Sequence, residues 1–226
     1  MKIITVVGIR KSGKTSTVEA LCREISSRGQ RVGTCKTVFC PGFSIDKPGS
    51  NTHRHAKAGA EIVVARARRE TTVIQRGEMA LSRIAEEFAG CDWLILEGDY
   101  RAPVSRVVTA HHAEDALQRQ NAHTVCFAGR VADTQEALPL DCFNPLTDAA
   151  ALLDHLQQHV PDVTPGAWLD EQLPVVAGVS DDGFCQCGCH HHEKKLAREG
   201  VTLTVDGEAV QLTDAQRKAI LEIVGK

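Results

Sequence analysis

Residues 8–15 read Gly-Ile-Arg-Lys-Ser-Gly-Lys-Thr and follow directly on the apolar run Ile3-Ile4-Thr5-Val6-Val7. The spacing is Gly-x-x-x-x-Gly-Lys-Ser/Thr, set where a strand-like run gives way to a helix-forming stretch. Few other arrangements restrict a chain so much. Glycines let the backbone wrap close to a polyphosphate, Lys14 reaches its outer groups, and the Thr15 hydroxyl faces a magnesium ion. The helix that follows adds N–H donors and the positive end of its dipole. Gly8, Arg10, Lys11, Ser12, Gly13, Lys14, Thr15 and Ser16 are therefore the candidate phosphate contacts, with Lys14 also a candidate for the chemistry.

Around this loop the pattern alternates between short β-rich runs and helical ones, which predicts an α/β fold with a mostly parallel sheet and crossover helices. Strands are expected over 3–7, 31–35, 61–65, 71–74, 93–96, 106–109, 124–127 and 139–143, and helices over 14–27, 52–58, 78–88 and 147–159. The first helix places Val18, Leu21, Cys22 and Ile25 on one face and ends near Gly29. Pro161, Pro165 and Gly166 punctuate the stretch after the last of these helices. The predicted organisation is thus a P-loop NTPase domain over 1–164 and a small appendage over 165–226. In the appendage, Asp206-Gly207 between β-prone runs at 201–205 and 208–212 signals a hairpin, and a helix is expected over 213–224.

A phosphate loop needs a carboxylate near its magnesium, usually at the tip of another buried strand. Leu94-Ile95-Leu96-Glu97-Gly98 supplies one, making Glu97 the candidate metal and water-positioning residue. Asp46, in the Gly- and Pro-rich stretch 41–49, is a second candidate. Lys36, after the second strand, is placed to face the phosphates.

Composition narrows the function classes. The 226 residues carry a formal net charge of −3 and 42% hydrophobic residues, enough apolar content for a core. Interspersed charge gives no footprint for nucleic acid or an anionic membrane. No apolar run approaches the roughly 20 residues that span a bilayer, so a cytoplasmic location is expected. Nine cysteines then read as thiols, metal ligands or core rather than disulfides. Cys22, Cys35, Cys91, Cys126 and Cys142 are scattered singly through predicted elements and read as core. Cys185, Cys187 and Cys189 alternate and run into His190, His191 and His192. That clustering predicts a metal site, an iron–sulfur cluster or Zn²⁺, with His190, His191, His192 or a more distant cysteine such as Cys40 as candidates for a further ligand.

Several further stretches turn these pieces into a family likeness. The loop 8–15, Lys36, Asp46-Lys47-Pro48-Gly49, the run Arg54-His55-Ala56-Lys57-Ala58-Gly59-Ala60, Leu94-Ile95-Leu96-Glu97-Gly98, Pro103 and Arg106-Val107-Val108 occur in order over about the first 110 residues. In them the chain resembles the molybdopterin-guanine dinucleotide biosynthesis adapter family (MobB). The resemblance implies a homodimeric protein that binds GTP and Mg²⁺, hydrolyses GTP weakly at most, and assists a molybdopterin guanylyltransferase. That partner would join GMP to molybdopterin in making molybdenum or tungsten cofactor, with molybdopterin itself or a molybdoenzyme as further partners. Three places depart from the family pattern. Thr37-Val38-Phe39-Cys40 stands where it carries histidines, Asp99-Tyr100 where it has Phe-Lys, and Asn51 where it has aspartate.

A different reading takes the Cys/His tail as the centre of function and makes the protein a nickel-type metallochaperone GTPase. A small-molecule kinase is less well supported, for want of a lid segment. The chain also has no guanine-reading Asn-Lys-x-Asp motif, so the preference for GTP over ATP rests on the resemblance.

Overall fold

Strand β1 (Lys2–Gly8) is buried from Ile3 to its end, as an apolar run must be when helices cover both faces of a parallel sheet. The computed structural model of the protein describes residues 1–40, 43–134, 136–164, 203–205 and 208–210. After β1 come α1 (Lys14–Ser27), β2 (Val32–Lys36), α2 (Asn51–Lys57), β3 (Ile62–Arg66), β4 (Thr71–Gln75) and α3 (Leu81–Glu86). Then follow β5 (Trp93–Glu97), β6 (Ser105–Thr109), α4 (Ala113–Leu117), β7 (Thr124–Ala128), a 3₁₀ turn (Arg130–Asp133), β8 (Cys142–Phe143) and α5 (Ala149–His159).

Six strands form one sheet in the order β2-β5-β1-β6-β7-β8, and every neighbouring pair is parallel. Strand β5 is thereby inserted between β1 and β2, which are consecutive in the chain. All the strand ends that face the loop after β1 are carboxyl ends, where open α/β sheets take their ligands.

The alternation of side chains along each strand divides the core between two faces. Ile4 and Val6 join Trp93, Ile95, Val107 and Cys126 against Val18, Leu21 and Ile25 of α1 and Leu152, Leu153 and Leu156 of α5. On the opposite face, Ile3, Leu94 and Leu96 pack on Leu81 and Ala85 of α3. Val7, Val108 and Phe127 pack there on Ala116 of α4 and on Val131. Cys126 is fully buried, and burial raises its thiol pKa and lifts that of Cys142 to about 11. Cys22, Cys35, Cys91 and Cys142 are half-buried.

Where the elements differ from expectation, a hydrogen-bonding reason is visible. The helix expected over 78–88 begins only at Leu81, because Ala80 is in an extended conformation with no side-chain cap. Past Glu86 the backbone tightens into i→i+3 bonds, Phe88 N to Ala85 O and Ala89 N to Glu86 O. The strand expected over 139–143 shrinks to the two residues that pair with β7. Helix α4 was not expected. Its first N–H groups lack a local cap, and the carboxylate of Glu136, 23 residues on, accepts from Ala113 N at 2.5 Å. A cap supplied from so far along the chain leaves no local signal.

Contacts along the chain separate it into two units, Met1–Asp182 and Gly183–Lys226. In the second, β9 (Leu203–Val205) and β10 (Glu208–Val210) pair antiparallel, with Val205 opposite Glu208. The turn at Asp206-Gly207 and the helix expected over 213–224 lie outside the described residues.

Candidate functional site

The loop between β1 and α1 is shaped by what surrounds its first glycine. A Cβ on Gly8 would fall 2.2 Å from both the carbonyl oxygen and Oγ1 of Thr109 and 2.6 Å from Ser12 Oγ. Only a residue without a side chain fits there. Ser12 is buried, and its hydroxyl lies 2.6 Å from Thr109 Oγ1, which in turn donates to Val7 O at 3.1 Å. The loop is thus anchored to β6 as well as to its own strand.

At the helix end of the loop, Gly13 occupies the left-handed region with φ 100°, and α1 starts there with no side-chain cap and no acidic residue in its first turn. The leading N–H groups of α1 therefore carry no side-chain competitor for an anion. The Lys14 ammonium folds back over the loop, donating to Gly8 O at 2.7 Å and Ile9 O at 2.6 Å. Those two carbonyls hold the charge over the loop. Gly13 and Ser16 are half-buried, whereas Arg10, Lys11 and Thr15 are exposed.

The carboxylate comes from the neighbouring strand. Parallel pairing puts Glu97 beside Val6 of β1 on one side and beside Lys36 of β2 on the other. Thr15 Oγ1 donates to Glu97 Oε1 at 2.8 Å, and the Lys36 ammonium forms an ion pair with the same oxygen. Glu97 is 7% exposed, so a buried carboxylate, a helix-borne hydroxyl and a cation meet at one corner of the loop. Hard oxygen donors of this kind suit a magnesium ion. Thr15, Lys36 and Glu97 are the sequence-predicted residues that the fold brings together.

Asp46 is engaged elsewhere. Its carboxylate accepts from the Ser50 and Thr52 hydroxyls, both at 2.8 Å, while Ser50 Oγ caps α2 through His53 N at 3.1 Å. The Ser50 hydrogen bond above all holds the Asp46 carboxyl below its ordinary range. In this arrangement Asp46 organises the start of α2.

Tyr100 belongs to the site without having been singled out for it. Its hydroxyl donates to Gly8 O at 2.6 Å and accepts from Gly8 N at 3.1 Å, so one hydroxyl holds both peptide groups that flank Gly8. The Tyr100 backbone is itself held. Arg106 Nη2 donates to Tyr100 O at 2.7 Å, Thr5 Oγ1 donates to Asp99 O at 2.7 Å, and Asp99 Oδ1 accepts from Arg101 N and Ala102 N. Arg106 is 6% exposed and its Nε has no hydrogen-bond partner among the described residues. Burial lowers its pKa, opposed by Tyr100 and Asp99. In the sequence, Tyr100 stood out only as a departure from the family pattern.

On the other flank of the loop, residues from the ends of β6 and β7 line an open cleft of about 470 Å³, namely His111, His112, Arg130, Asp133 and Thr134. Cys185, Cys187, Cys189 and His190 lie outside the described residues. Among the described residues no group of three or more His, Cys, Asp or Glu side chains gathers as a metal site. No described helix is long and apolar enough to cross a membrane.

A parallel sheet whose central strand runs through a glycine-rich loop into an uncapped helix, with a buried acid at the tip of the next strand, defines a P-loop NTPase-type α/β protein. The family described as "Molybdopterin guanine dinucleotide synthesis protein B" matches residues 3–129, and the chain belongs to it. A probable molybdopterin-guanine dinucleotide biosynthesis adapter protein of Bacillus subtilis (strain 168) is 29% identical over 144 residues, 61% of this chain and 83% of that protein. The crystal structure of Bacillus subtilis MobB superimposes with a TM-score of 0.55 at 24% identity, over 69% of this chain and 98% of that one. A MobB homolog from Bacillus stearothermophilus gives 0.54 at 20% identity, over 70% and 100%. At such identities the structural likeness speaks for the fold.

Proposed function

We propose that the chain binds GTP with Mg²⁺ on residues 8–16 and, so loaded, assists a guanylyltransferase that joins GMP to molybdopterin. The observation that supports this best is the meeting of Thr15, Lys36 and Glu97 beside an acid-free helix N-terminus. Lys14 would transfer its ammonium from the Gly8 and Ile9 carbonyls to the outer phosphates, and Lys36 would add positive charge from β2. Thr15 Oγ1 and Glu97 would hold Mg²⁺, which would neutralise phosphate charge when bound. Arg10, Lys11, Ser12, Gly13 and Ser16 would contribute loop contacts, and Asp46 would shape the wall through α2. Nucleotidyl transfer itself belongs to the partner on this reading, which implies work in the cytoplasm.

Two accessory proposals go with it. Cys185, Cys187, Cys189 and His190 would hold an iron–sulfur cluster or Zn²⁺, on the strength of their spacing alone. Replacing the three cysteines with serine is expected to remove bound metal, read by elemental analysis after anaerobic purification, while nucleotide affinity stays. The second partner would be another copy of this chain, through the apolar face of β3 and β4.

The decisive experiment is the cellular ratio of guanylated to unguanylated pterin cofactor, measured by mass spectrometry with and without the gene, and with Lys14→Ala in its place. A fall in the dinucleotide form in both strains supports the proposal. An unchanged ratio in the deletion refutes it.

A further inference from the structure

The cleft beside the loop has a place in the topology that bears on which nucleotide the protein takes. Gly129, which ends β7, abuts the loop directly: a Cβ there would come 2.8 Å from Ser12 O, and one on Gly13 would lie 4.0 Å from Gly129 Cα. The 3₁₀ turn Arg130–Asp133 starts at the next residue and lines the cleft with Arg130 and Asp133. The metal-side carboxylate, Glu97, lies on the opposite flank, because β5 and β6 sit on opposite sides of β1. A nucleotide with its terminal phosphates toward Thr15 and Glu97 would direct its ribose and base toward β6 and β7, about two strand spacings or 10 Å from β1.

The chemistry of the lining then selects a base. Asn144 Nδ2 donates to both carboxylate oxygens of Asp133, at 2.8 and 3.1 Å, and so fills the fork of the carboxylate. Once a base edge displaces that amide, both oxygens are acceptors. Two adjacent acceptors match the neighbouring N1–H and N2–H₂ donors of guanine. Adenine would instead turn the lone pair of its N1 on the carboxylate, next to a single amino group. Arg130 and half-buried His111 offer flat groups on which a purine can stack. His112, which also lines the cleft, is engaged by Glu136, with Nδ1 to Oε1 3.2 Å, and Glu136 also caps α4.

We infer that the cleft formed by His111, Arg130, Asp133 and Thr134 is a purine-base site in which the Asp133 carboxylate selects guanine, although no Asn-Lys-x-Asp sequence marks it. This rests on the phosphate-loop reading above and adds to it the residue that discriminates the base.

The test is competition binding against a fluorescent GTP analogue with GTP, ATP, XTP and inorganic tripolyphosphate, on the wild type, Asp133→Asn and Lys14→Ala. In xanthine a carbonyl replaces the guanine amino group, so the amide of Asp133→Asn can donate to it and accept from N1–H. Wild type is expected to prefer GTP over ATP by roughly tenfold or more. Asp133→Asn should lose that preference and gain XTP by a similar factor, with tripolyphosphate binding unchanged. Asp133 is exposed and the change isosteric, and the Asn144 amide can still donate to the one oxygen that remains, so the melting curve should stay close to that of the wild type. Unaltered GTP selectivity in Asp133→Asn overturns the assignment, as does an equal loss for tripolyphosphate. If wild type binds GTP and ATP alike and Lys14→Ala abolishes both, the base site fails and the phosphate loop stands. Absence of all binding by wild type would remove both.

Discussion

At the scale of single residues, the loop depends on two contacts made from a distance. Gly8 has Thr109 and Ser12 so close that Gly8→Ala must push β6 away or open the loop. The variant should fold less stably and lose nucleotide affinity together, measured by urea denaturation and titration. Tyr100 clamps the peptides on both sides of Gly8 through its hydroxyl. Tyr100→Phe keeps the ring and removes only that clamp, so a loss of about 1–3 kcal/mol is expected from the denaturation midpoint. No change in either midpoint or affinity would mean that the clamp carries no weight. Residues of the loop were legible because their spacing is itself the signal. Tyr100 was not, because its partner is 92 residues away.

Elements show the same division. Helix α1 has the bounds expected for it, since its apolar period and the glycines at its two ends are all local. Deleting part of its buried face, as in Leu21→Ala, should cost about 2–5 kcal/mol. The chain segment after α5 is tied to the start of β1: Val163 N donates to Met1 O at 2.9 Å, and Asp162 pairs with the Met1 ammonium at 3.5 Å and Lys2 at 3.3 Å. The Lys2 hydrogen bond first, and then the charges of Lys2 and the N-terminus, lower the Asp162 pKa. A carboxyl whose folded pKa is depressed stabilises the native state above its unfolded value of about 3.9 and loses that contribution as pH falls through the folded value. Asp162→Asn should therefore melt lower than wild type near neutrality, and the two curves should converge in acid. A gap that persists at low pH would assign the effect to something other than this charge.

For the molecule as a whole, the β3–β4 pair stands apart from the six-stranded sheet. Val64 lies opposite Val73, and Ile62, Val64 and Val73 are each more than half exposed. An isolated hairpin is marginal in water, and an apolar face on it is an adhesive one. If this is the homodimer surface, Val73→Asp should shift the protein to monomer in sedimentation analysis; an unchanged dimer would place the contact elsewhere. By itself the sequence determined the order and type of most elements and put a Gly-x-x-x-x-Gly-Lys-Thr turn after the first strand and Glu97 at the end of an apolar run, since period, glycine spacing and a terminal acid are all read within a few residues. Tertiary structure alone decided that β5 enters between β1 and β2, bringing Glu97 onto Thr15 and Lys36. It also decided that Glu136 caps α4, that Asp46 turns to α2, and that Asp133 faces a cleft next to the loop. Each of these depends on which distant strands pair, and pairing energy comes from contacts between segments, not from the local preferences of either one.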